Sequence, residues 1–315
     1  MAFEIPTIDY SGKIKEITLG AGDKAVTVGG QTSYPFYLFE GEMPNKPRIA
    51  MELFDHEPDD WAEAAVEPFK GVMGDPVAWA KKNVDEYGAE MIALQLKSID
   101  PNGINRSTEE AVKVAKSVID AVDVPIILWG VANAEKDTEV LRALCEQCEG
   151  KNLIIGPVEE ADYKQIGAGA IAYKHTVVAS SPIDVNLAKQ LNILLENLGV
   201  PGSQIVVDPT TGALGYGLEY SYTVMERDRM AALVQEDEKL QSPIICNIGI
   251  ETWKIKESNL SAEEAPTLGD AKKRGIIIEC VTAMSMLMAG ADILIMRHPD
   301  SIKLVKKMID NLSAD

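Results

Sequence analysis

A chain of 315 residues can fold as two small domains or as one large barrel. Its 49 acidic and 30 basic residues give a formal charge of −19 at pH 7, which argues against nucleic-acid binding because an acidic surface repels phosphate backbones. The first residues, MAFEIPTIDYSGKIKEI, show neither the basic start nor the apolar stretch of a secretory leader, and no apolar run approaches the roughly 18 residues of a membrane span. We therefore expect a soluble cytoplasmic protein with no membrane contact.

Residues 1–47 differ in pattern from the rest of the chain. The stretches KIKEITLG (13–20) and AVTVGGQTSYPFY (25–37) alternate between apolar and polar positions and break at glycines, as antiparallel hairpins do. EGEMPNKP then reads as a linker that ends at Pro47. We expect an N-terminal β-hairpin extension and linker over 1–47 and a second unit over 48–315.

From residue 48 onward, short apolar runs alternate with segments of helical period. The predicted strands are RIAMELF (48–54), MIALQL (91–96), VPIILW (124–129), NLIIG (152–156), AIAY (170–173), QIVVD (204–208), PIICNIG (243–249) and DILIMR (292–297). The fifth strand is ambiguous, because AIAYKHTVVASS can place it at 170 or at 176. Helix signals agree with the alternation: Ser107 and Glu110 form a capping box, and Gly88, Gly199 and Gly290 follow predicted helices.

Eight near-continuously apolar strands, each followed by a helix, predict a parallel sheet that is covered on its outer face. Right-handed crossovers repeated eight times close such a sheet into a (β/α)8 TIM barrel, which is the fold we predict. An open, doubly wound sheet is the alternative.

The four cysteines do not have the spacing of a metal site. Cys145 and Cys148 form a C-x-x-C pair at the end of a predicted helix, Cys246 lies in a predicted strand, and Cys280 lies in another helix. Zinc and cubane iron–sulfur sites usually need four converging ligands. We expect reduced, packed thiols and no metal site in this chain.

The loops after the carboxyl ends of the strands build the functional face of a TIM barrel. Those loops contain Asp55, His56, Ser98, Asp100, Asn102, Trp129, Asn133, Lys174, His175, Asp208, Asn247, Gly249, Glu251, Arg297 and His298. After strand six the chain continues with a loop rich in hydroxyls and glycines, DPTTGALGYG (208–217). Neither a nucleophile elbow nor a P-loop nor a dinucleotide fingerprint is present. This face is therefore better suited to holding a broad, amide-bearing ligand than to breaking bonds, and on this reading all three histidines lie at it.

Three long stretches carry a family resemblance: DPTTGALGYGLEYSYTVMERDR (208–229), NIGIETWKIKES (247–258) and KPRIAMELFD (46–55). They resemble the small (delta) subunit of the corrinoid iron–sulfur protein of the CO dehydrogenase/acetyl-CoA synthase (acetyl-CoA decarbonylase/synthase) system. The likeness extends over essentially the whole chain. It implies a TIM barrel paired with a large (gamma) subunit that carries the corrinoid (cobalamin) and a [4Fe–4S] cluster.

The resemblance also implies a role in methyl transfer and carbon dioxide fixation. A separate methyltetrahydrofolate:corrinoid methyltransferase passes a methyl group to cobalt, which delivers it to acetyl-CoA synthase/CO dehydrogenase in the reductive acetyl-CoA (Wood–Ljungdahl) pathway. This barrel would cap the corrinoid without being an enzyme on its own, with residues 208–217 and 98–105 as its main contacts. The expected cofactor-binding residues are Ser98, Asp100, Asn102, Trp129, Asp208, Thr210, Thr211, Gly212, Gly215, Asn247, Gly249 and His298; no catalytic residue and no metal ligand is expected.

Two alternatives remain. A pterin-dependent methyltransferase would place acids and asparagines at successive strand ends, and Asp208 and Asn247 fit that pattern, but Gln95, Lys97 and Trp129 do not. A purely structural partner of the large subunit is the other alternative, since barrels of this kind have many unrelated roles.

Overall fold

The computed structural model describes residues 4–314 and contains a closed barrel of eight parallel strands. The chain begins with two short antiparallel strands, β1 (Ile17–Leu19) and β2 (Val26–Val28). The barrel strands are β3 (Arg48–Phe54), β4 (Met91–Gln95), β5 (Ile126–Trp129), β6 (Ile154–Val158), β7 (Thr176–Ser180), β8 (Ile205–Asp208), β9 (Ile244–Asn247) and β10 (Ala291–Met296). The last strand, β10, pairs with the first, β3, so the predicted TIM barrel is confirmed and the open sheet is excluded.

Helices cover the outside of the barrel and connect successive strands. They are α1 (Glu63–Val66), α2 (Pro76–Asp85), α3 (Thr108–Ala121), α4 (Ala134–Gln147), α5 (Tyr163–Tyr173), α6 (Val185–Leu198), α7 (Leu218–Leu233), α8 (Ile248–Trp253), α9 (Lys256–Asn259), α10 (Ala271–Ala289) and α11 (Pro299–Leu312). The Ser107 hydroxyl accepts from the Glu110 amide at the start of α3, as the capping pattern predicts. Gly199 and Gly290 end α6 and α10 in the left-handed conformation.

The fifth barrel strand lies at the later of the two positions that the sequence left open. Residues 170–173 form the last turn of α5, and β7 begins at Thr176. The side chains of Ile166 and Ala170 are buried, so packing over three helical turns outweighs the strand-like appearance of four residues. Lys174, at φ 61°, ends the helix.

This shift changes the position of His175. It precedes β7 and therefore lies at the amino end of the barrel, where Nδ1 accepts from the Leu153 amide (3.0 Å) and Nε2 donates to the Cys145 carbonyl (3.0 Å). Burial of the ring lowers its pKa. The interpretation that all three histidines lie at the carboxyl ends of strands is therefore wrong, and so is the placement of Lys174 there.

The N-terminal hairpin closes the amino end of the barrel. Its side chains Ile17, Leu19 and Val28 belong to the same buried cluster as the inward-facing residues of the barrel strands. The Asn152 amide, next to β6, donates to the backbone carbonyls of Thr18 (2.9 Å) and Gly20 (3.1 Å). The predicted hairpin is present, with one strand from each of the two alternating stretches, and it leaves the opposite end of the barrel as the open one.

The cysteines occupy the elements expected for them, with Cys145, Cys148 and Cys246 buried and Cys280 partly exposed. Among the described helices, none is both long enough and apolar enough to cross a bilayer.

Candidate functional site at the mouth of the barrel

The barrel interior is apolar up to its last layer, where it becomes polar. Alternate residues of each strand face inward, and the buried interior cluster includes Ala93, Val178, Val206, Ile245 and Ile295. The residues two positions further along each strand form the layer at the carboxyl end, which we call the mouth. This layer comprises Glu52, Gln95, Trp129, Ser180, Asp208, Asn247 and Arg297.

A buried ion pair lies at the centre of this layer. Arg297 Nε donates to one carboxylate oxygen of Glu52, and both side chains are almost fully buried. Gln95 Nε2 lies 3.2 Å from the other Glu52 oxygen and 3.2 Å from Asn247 Oδ1. The four side chains form a hydrogen-bonded floor that spans strands β3, β4, β9 and the end of β10, and paired charges of this kind fix their own geometry.

Gly249 lies against this floor. A Cβ atom at this position would lie 2.6 Å from Glu52 Oε1, which is closer than non-bonded atoms approach. The predicted site residue Gly249 therefore makes room for the ion pair.

Asp208 ends β8 and is also buried. Ser180 Oγ donates to its Oδ2 (2.8 Å) and the Thr210 amide to its Oδ1 (3.0 Å). Burial raises its pKa to about 6. Thr210 Oγ1 in turn donates to the Ser181 carbonyl (2.9 Å), so the start of the loop is held by the aspartate that precedes it.

The first half of the glycine loop is committed to internal hydrogen bonds. Thr211 is buried, and its hydroxyl accepts from the Asn247 amide (3.0 Å). The Gly212 amide donates to the Ser221 hydroxyl (2.9 Å), and a Cβ at this glycine would lie 2.5 Å from the Gly217 carbonyl group. These groups shape the loop, and their polar atoms are not free for a ligand.

The second half of the loop is accessible. Leu214, Gly215 and Tyr216 are exposed, and nothing lies within 4 Å of the space that a Cβ at Gly215 would occupy. The phenol of Tyr216 donates to Glu257 (2.8 Å), which ties the loop to α9. Residues 214–216 are the part of the loop that another molecule could contact.

The loop after β4 shows the same division. Ser98 is fully buried, its hydroxyl and its amide both donate to Asp55, and it serves to hold that carboxylate. Asp100 is half-buried and accepts from the amide of Asn102 (2.8 Å), which is exposed. Of the three predicted residues in this loop, Asp100 and Asn102 are available at the surface.

A cavity of about 720 Å³ opens at the mouth beside β3 and β4. Arg297 forms part of its wall, with its guanidinium carbon 3.6 Å from the centroid of the Trp61 ring. Lys97 lines the same cavity, and burial lowers the pKa of its ammonium group. Phe54 and Trp253 add aromatic surface. The lining also carries Lys254 and the carboxylates of Glu57, Asp59, Asp60 and Asp100, so the cavity combines aromatic walls with charges of both signs.

Two predicted residues are buried. Trp129 belongs to the mouth layer but is only 8% exposed and packs against the interior cluster of the barrel. His298 is 1% exposed, caps α11 by accepting from the Asp300 amide (3.1 Å), and stacks on Trp253 with ring centroids 5.8 Å apart. Burial lowers its pKa to about 4, so the ring is neutral at pH 7.

The structure brings together residues that were not among the expected cofactor-binding residues. Glu52, Gln95, Lys97, Arg297 and Trp61 form the floor and the cavity wall. One signal was present: Glu52 is a charge within the apolar run RIAMELF, at an inward position of the strand. In residues 4–314 no three His, Cys, Asp or Glu side chains are grouped so as to hold a metal ion.

Solved structures with the same fold include pterin-related synthases. Dihydropteroate synthase from Xanthomonas albilineans, solved with 4-aminobenzoic acid, superposes with a TM-score of 0.58 at 13% identity, covering 90% of this chain and 100% of that one. The synthase from Coxiella burnetii, solved with pteroic acid, gives a TM-score of 0.57 at 12% identity, covering 88% and 97%. At such low identity the likeness shows a shared barrel fold.

Sequence relatives show the family. The acetyl-CoA decarbonylase/synthase complex subunit delta 2 of Methanosarcina acetivorans is 36% identical over 98% of this chain and 73% of its own length. Subunit delta of Archaeoglobus fulgidus is 36% identical over 98% of this chain and 71% of its own length. The family model described as CO dehydrogenase/acetyl-CoA synthase delta subunit matches residues 16–311. The chain therefore belongs to the CO dehydrogenase/acetyl-CoA synthase delta subunit family.

Proposed function

We propose that this chain is the small subunit of a heterodimeric corrinoid iron–sulfur protein, and that the mouth of its barrel caps a corrinoid carried by the large subunit. The observation that carries the proposal is the family match over residues 16–311. In this role the large subunit also holds the [4Fe–4S] cluster. The assembled protein accepts a methyl group from methyltetrahydrofolate through a separate methyltransferase and delivers it to acetyl-CoA synthase.

The mouth has features that suit a cap. A corrinoid is larger than the ligands that pockets of 300–1,000 Å³ enclose, so a cavity of about 720 Å³ can receive only part of it. The remainder would lie across the rim, where Asn102 and residues 214–216 are exposed. Side-chain amide and backbone groups there can exchange hydrogen bonds with the amide substituents at the edge of the ring.

The cofactor supplies the methyl-transfer chemistry, and the protein supplies shape and access. Below the rim, the floor formed by Glu52, Arg297, Gln95 and Asn247 keeps its geometry because its members bind one another. A polar rim also releases its partner more readily than a wholly apolar seal, and the cobalt must leave the cap to reach both methyl donor and methyl acceptor.

A matched pair of glycines tests the cap. Gly215 at the mouth and Gly150 at the amino end both have φ 78° and no atom within 4 Å of an added Cβ. Gly215→Trp and Gly150→Trp therefore introduce the same bulk and the same backbone strain at opposite ends of the barrel. We expect the assembled heterodimer to lose corrinoid, read from its visible spectrum and cobalt content, with Gly215→Trp only.

Equal corrinoid content in the two variants would count against the cap. Unchanged retention of corrinoid by the large subunit alone would favour the purely structural alternative, because the barrel would then contribute nothing to cofactor binding.

The cavity favours one second candidate, a pterin-dependent methyltransferase. Its aromatic walls suit a flat ring, and its lining offers both cations and carboxylates to polar groups at the edge of such a ring. Titration of the isolated chain with methyltetrahydrofolate separates the two functions. A methyltransferase binds this ligand without a partner, whereas a cap does not.

A further inference from the structure

Two neighbouring helices on the barrel wall, α10 and α11, expose apolar side chains. On α10, Ile277, Val281 and Met288 are 57%, 40% and 38% exposed, and their spacing places them on one face. On α11, Leu304, Met308 and Leu312 are 49%, 43% and 36% exposed, again at helical spacing. We call these six side chains the α10–α11 patch. Scattered exposed hydrophobic residues are ordinary, but a group that covers two adjacent helices marks an interaction surface.

The two helices lie side by side, so their exposed faces adjoin. Ser301, in the first turn of α11, donates to the carbonyl of Ile276 (3.4 Å), and the thiol of Cys280 approaches the Ser301 carbonyl (3.6 Å). The exposed positions of α10 and α11 follow these contacts toward the amino end of the barrel. The patch therefore lies on the wall of the barrel and not at its mouth.

Helix α10 has the composition of a helix that is covered on all sides. Between Gly275 and Gly290 its one charged residue is Glu279, which is fully buried and accepts from the backbone amides of Arg297 (2.6 Å) and His298 (3.2 Å). The outward face over this span thus carries no charge, in a chain of which 25% of residues are charged. A helix that is apolar all round is normally buried.

The charges near the patch have the opposite sign to the chain as a whole. Apart from the buried Arg274 and Glu279, the two helices carry five lysines and two aspartates: Lys272, Lys273, Lys303, Lys306, Lys307, Asp300 and Asp310. The whole chain has a net charge of −19. Two of these lysines are paired with carboxylates of neighbouring segments, Lys272 with Glu67 (2.6 Å) and Lys306 with Glu90 (3.8 Å), and Asp310 is paired with Lys46 (2.9 Å). Within residues 4–314, Lys273, Lys303 and Lys307 have no such partner, so the patch is an apolar surface whose unpaired rim charges are mainly basic.

We infer that the α10–α11 patch is the permanent contact with the partner subunit, and that the partner presents an apolar face rimmed by carboxylates. The inference rests on the proposed function insofar as it takes that partner to be the large subunit. A second copy of this chain fits poorly: a two-fold contact would place lysines against lysines, and a head-to-tail contact would build an open filament. A contact on the barrel wall also leaves the mouth free for the corrinoid.

The test uses the assembled heterodimer and paired substitutions in the patch. Val281→Glu with Met308→Glu introduces two carboxylates opposite an acidic rim, and we expect about 100-fold weaker association, the scale of an interface hot spot. Val281→Lys with Met308→Lys should weaken association less, because its positive charges are opposite in sign to the inferred acidic rim of the partner. Ile8→Glu, at a side chain that is 56% exposed on the N-terminal segment, is the control. Circular dichroism and thermal melting of each isolated chain verify folding.

The rim is tested separately. Lys303→Glu with Lys307→Glu should weaken association about tenfold at low salt, and added salt should reduce the difference, because exposed charges are screened. If the Glu pair in the patch leaves association at the wild-type value, the patch is not the interface. If the Glu and Lys pairs weaken association equally, the inferred acidic partner is wrong. If the isolated wild-type chain forms a dimer, and the Glu pair in the patch dissociates that dimer, the occupant of the patch is a second copy of this chain.

These outcomes are distinct from failure of the proposed function. A partner that binds through the patch but carries no corrinoid overturns the cap and leaves the interface standing. If a corrinoid-bearing partner binds the variant with the Glu pair as tightly as it binds the wild-type chain, the inferred interface is wrong and the cap still stands.

Discussion

The close approach of Gly249 to Glu52 makes Gly249→Ala a sharp test of the floor at the mouth. The added methyl carbon would lie 2.6 Å from Glu52 Oε1 and 2.7 Å from its Cδ. Glu52 cannot readily move aside, because Arg297 and Gln95 both bind its carboxylate and the side chain is fully buried. Overpacking a close-packed site costs about 1–3 kcal/mol. We expect about 2 kcal/mol of lost stability and a Tm lower by roughly 3 °C.

Gly103→Ala is the matched control, since Gly103 also lies at the mouth but its added methyl would meet nothing closer than 3.8 Å. At such a site the substitution is expected to be neutral or to stabilise by up to about 1 kcal/mol, because it restricts the unfolded chain. Urea and thermal unfolding of both variants give the comparison. If the two differ by less than about 0.5 kcal/mol, within the usual effect of a surface substitution, Glu52 is not held as described.

A double-mutant cycle locates the effect. In a Glu52→Ala background the clashing carboxylate is gone, so Gly249→Ala should cost close to nothing, and the coupling should be about 2 kcal/mol, within the range for residues in contact. If Gly249→Ala still costs about 2 kcal/mol in that background, the strain does not arise from contact with the Glu52 carboxylate.

Two further predictions concern ionisation and metal content. Burial raises the pKa of Asp228 from 3.8 to about 7, and neither of its carboxylate oxygens has a hydrogen-bond partner within residues 4–314. Because the folded state binds this proton more tightly than the unfolded chain, the stabilisation is complete below about pH 4 and is lost as the pH rises to 7. Asp228→Asn should make stability depend less on pH and should raise the free energy of unfolding at pH 8, by no more than roughly 4 kcal/mol. Urea unfolding at pH 5 and pH 8 measures the difference. If the pH dependence of stability is unchanged, the raised pKa does not belong to Asp228. The chain purified alone should contain no iron by elemental analysis, because Cys145, Cys148 and Cys246 are buried with raised thiol pKa values and no three potential metal ligands converge within residues 4–314. Stoichiometric iron would contradict this.

The sequence predicted the barrel because parallel strands that are buried on both faces leave a simple signal. Runs such as DILIMR and RIAMELF are apolar at nearly every position, and each lies at or within a residue of the observed strand. The fifth strand was ambiguous for a physical reason. The four residues AIAY have no periodicity of their own, and their helical state depends on how Ile166 and Ala170 pack against neighbouring helices, which are contacts that the local sequence does not contain.

The candidate site was predictable in position but not in detail. The loop after Asp208 does lie at the mouth, as the barrel rule requires. Hydrogen bonds between distant segments determine which polar groups at the mouth remain free for a ligand. The backbone amide of Asn247 donates to the Thr211 hydroxyl, and in the loop after β4 the Ser98 hydroxyl donates to Asp55. A polar residue at a strand end therefore has two possible uses, building the site or touching the ligand, and only the three-dimensional pairing separates them.

Both ends of the barrel are fixed by buried hydrogen bonds. At the amino end, Gln31 and Arg229 both bind the buried carboxylate of Asp292, so the N-terminal segment is fixed to the barrel below its interior. At the mouth, Glu52 and Arg297 are fixed in turn by their hydrogen bonds. A barrel whose interior is packed and whose ends are both held has little freedom to open. If it caps a corrinoid, the cap is a rigid surface, and the motion that exposes cobalt belongs to the partner's cofactor domain.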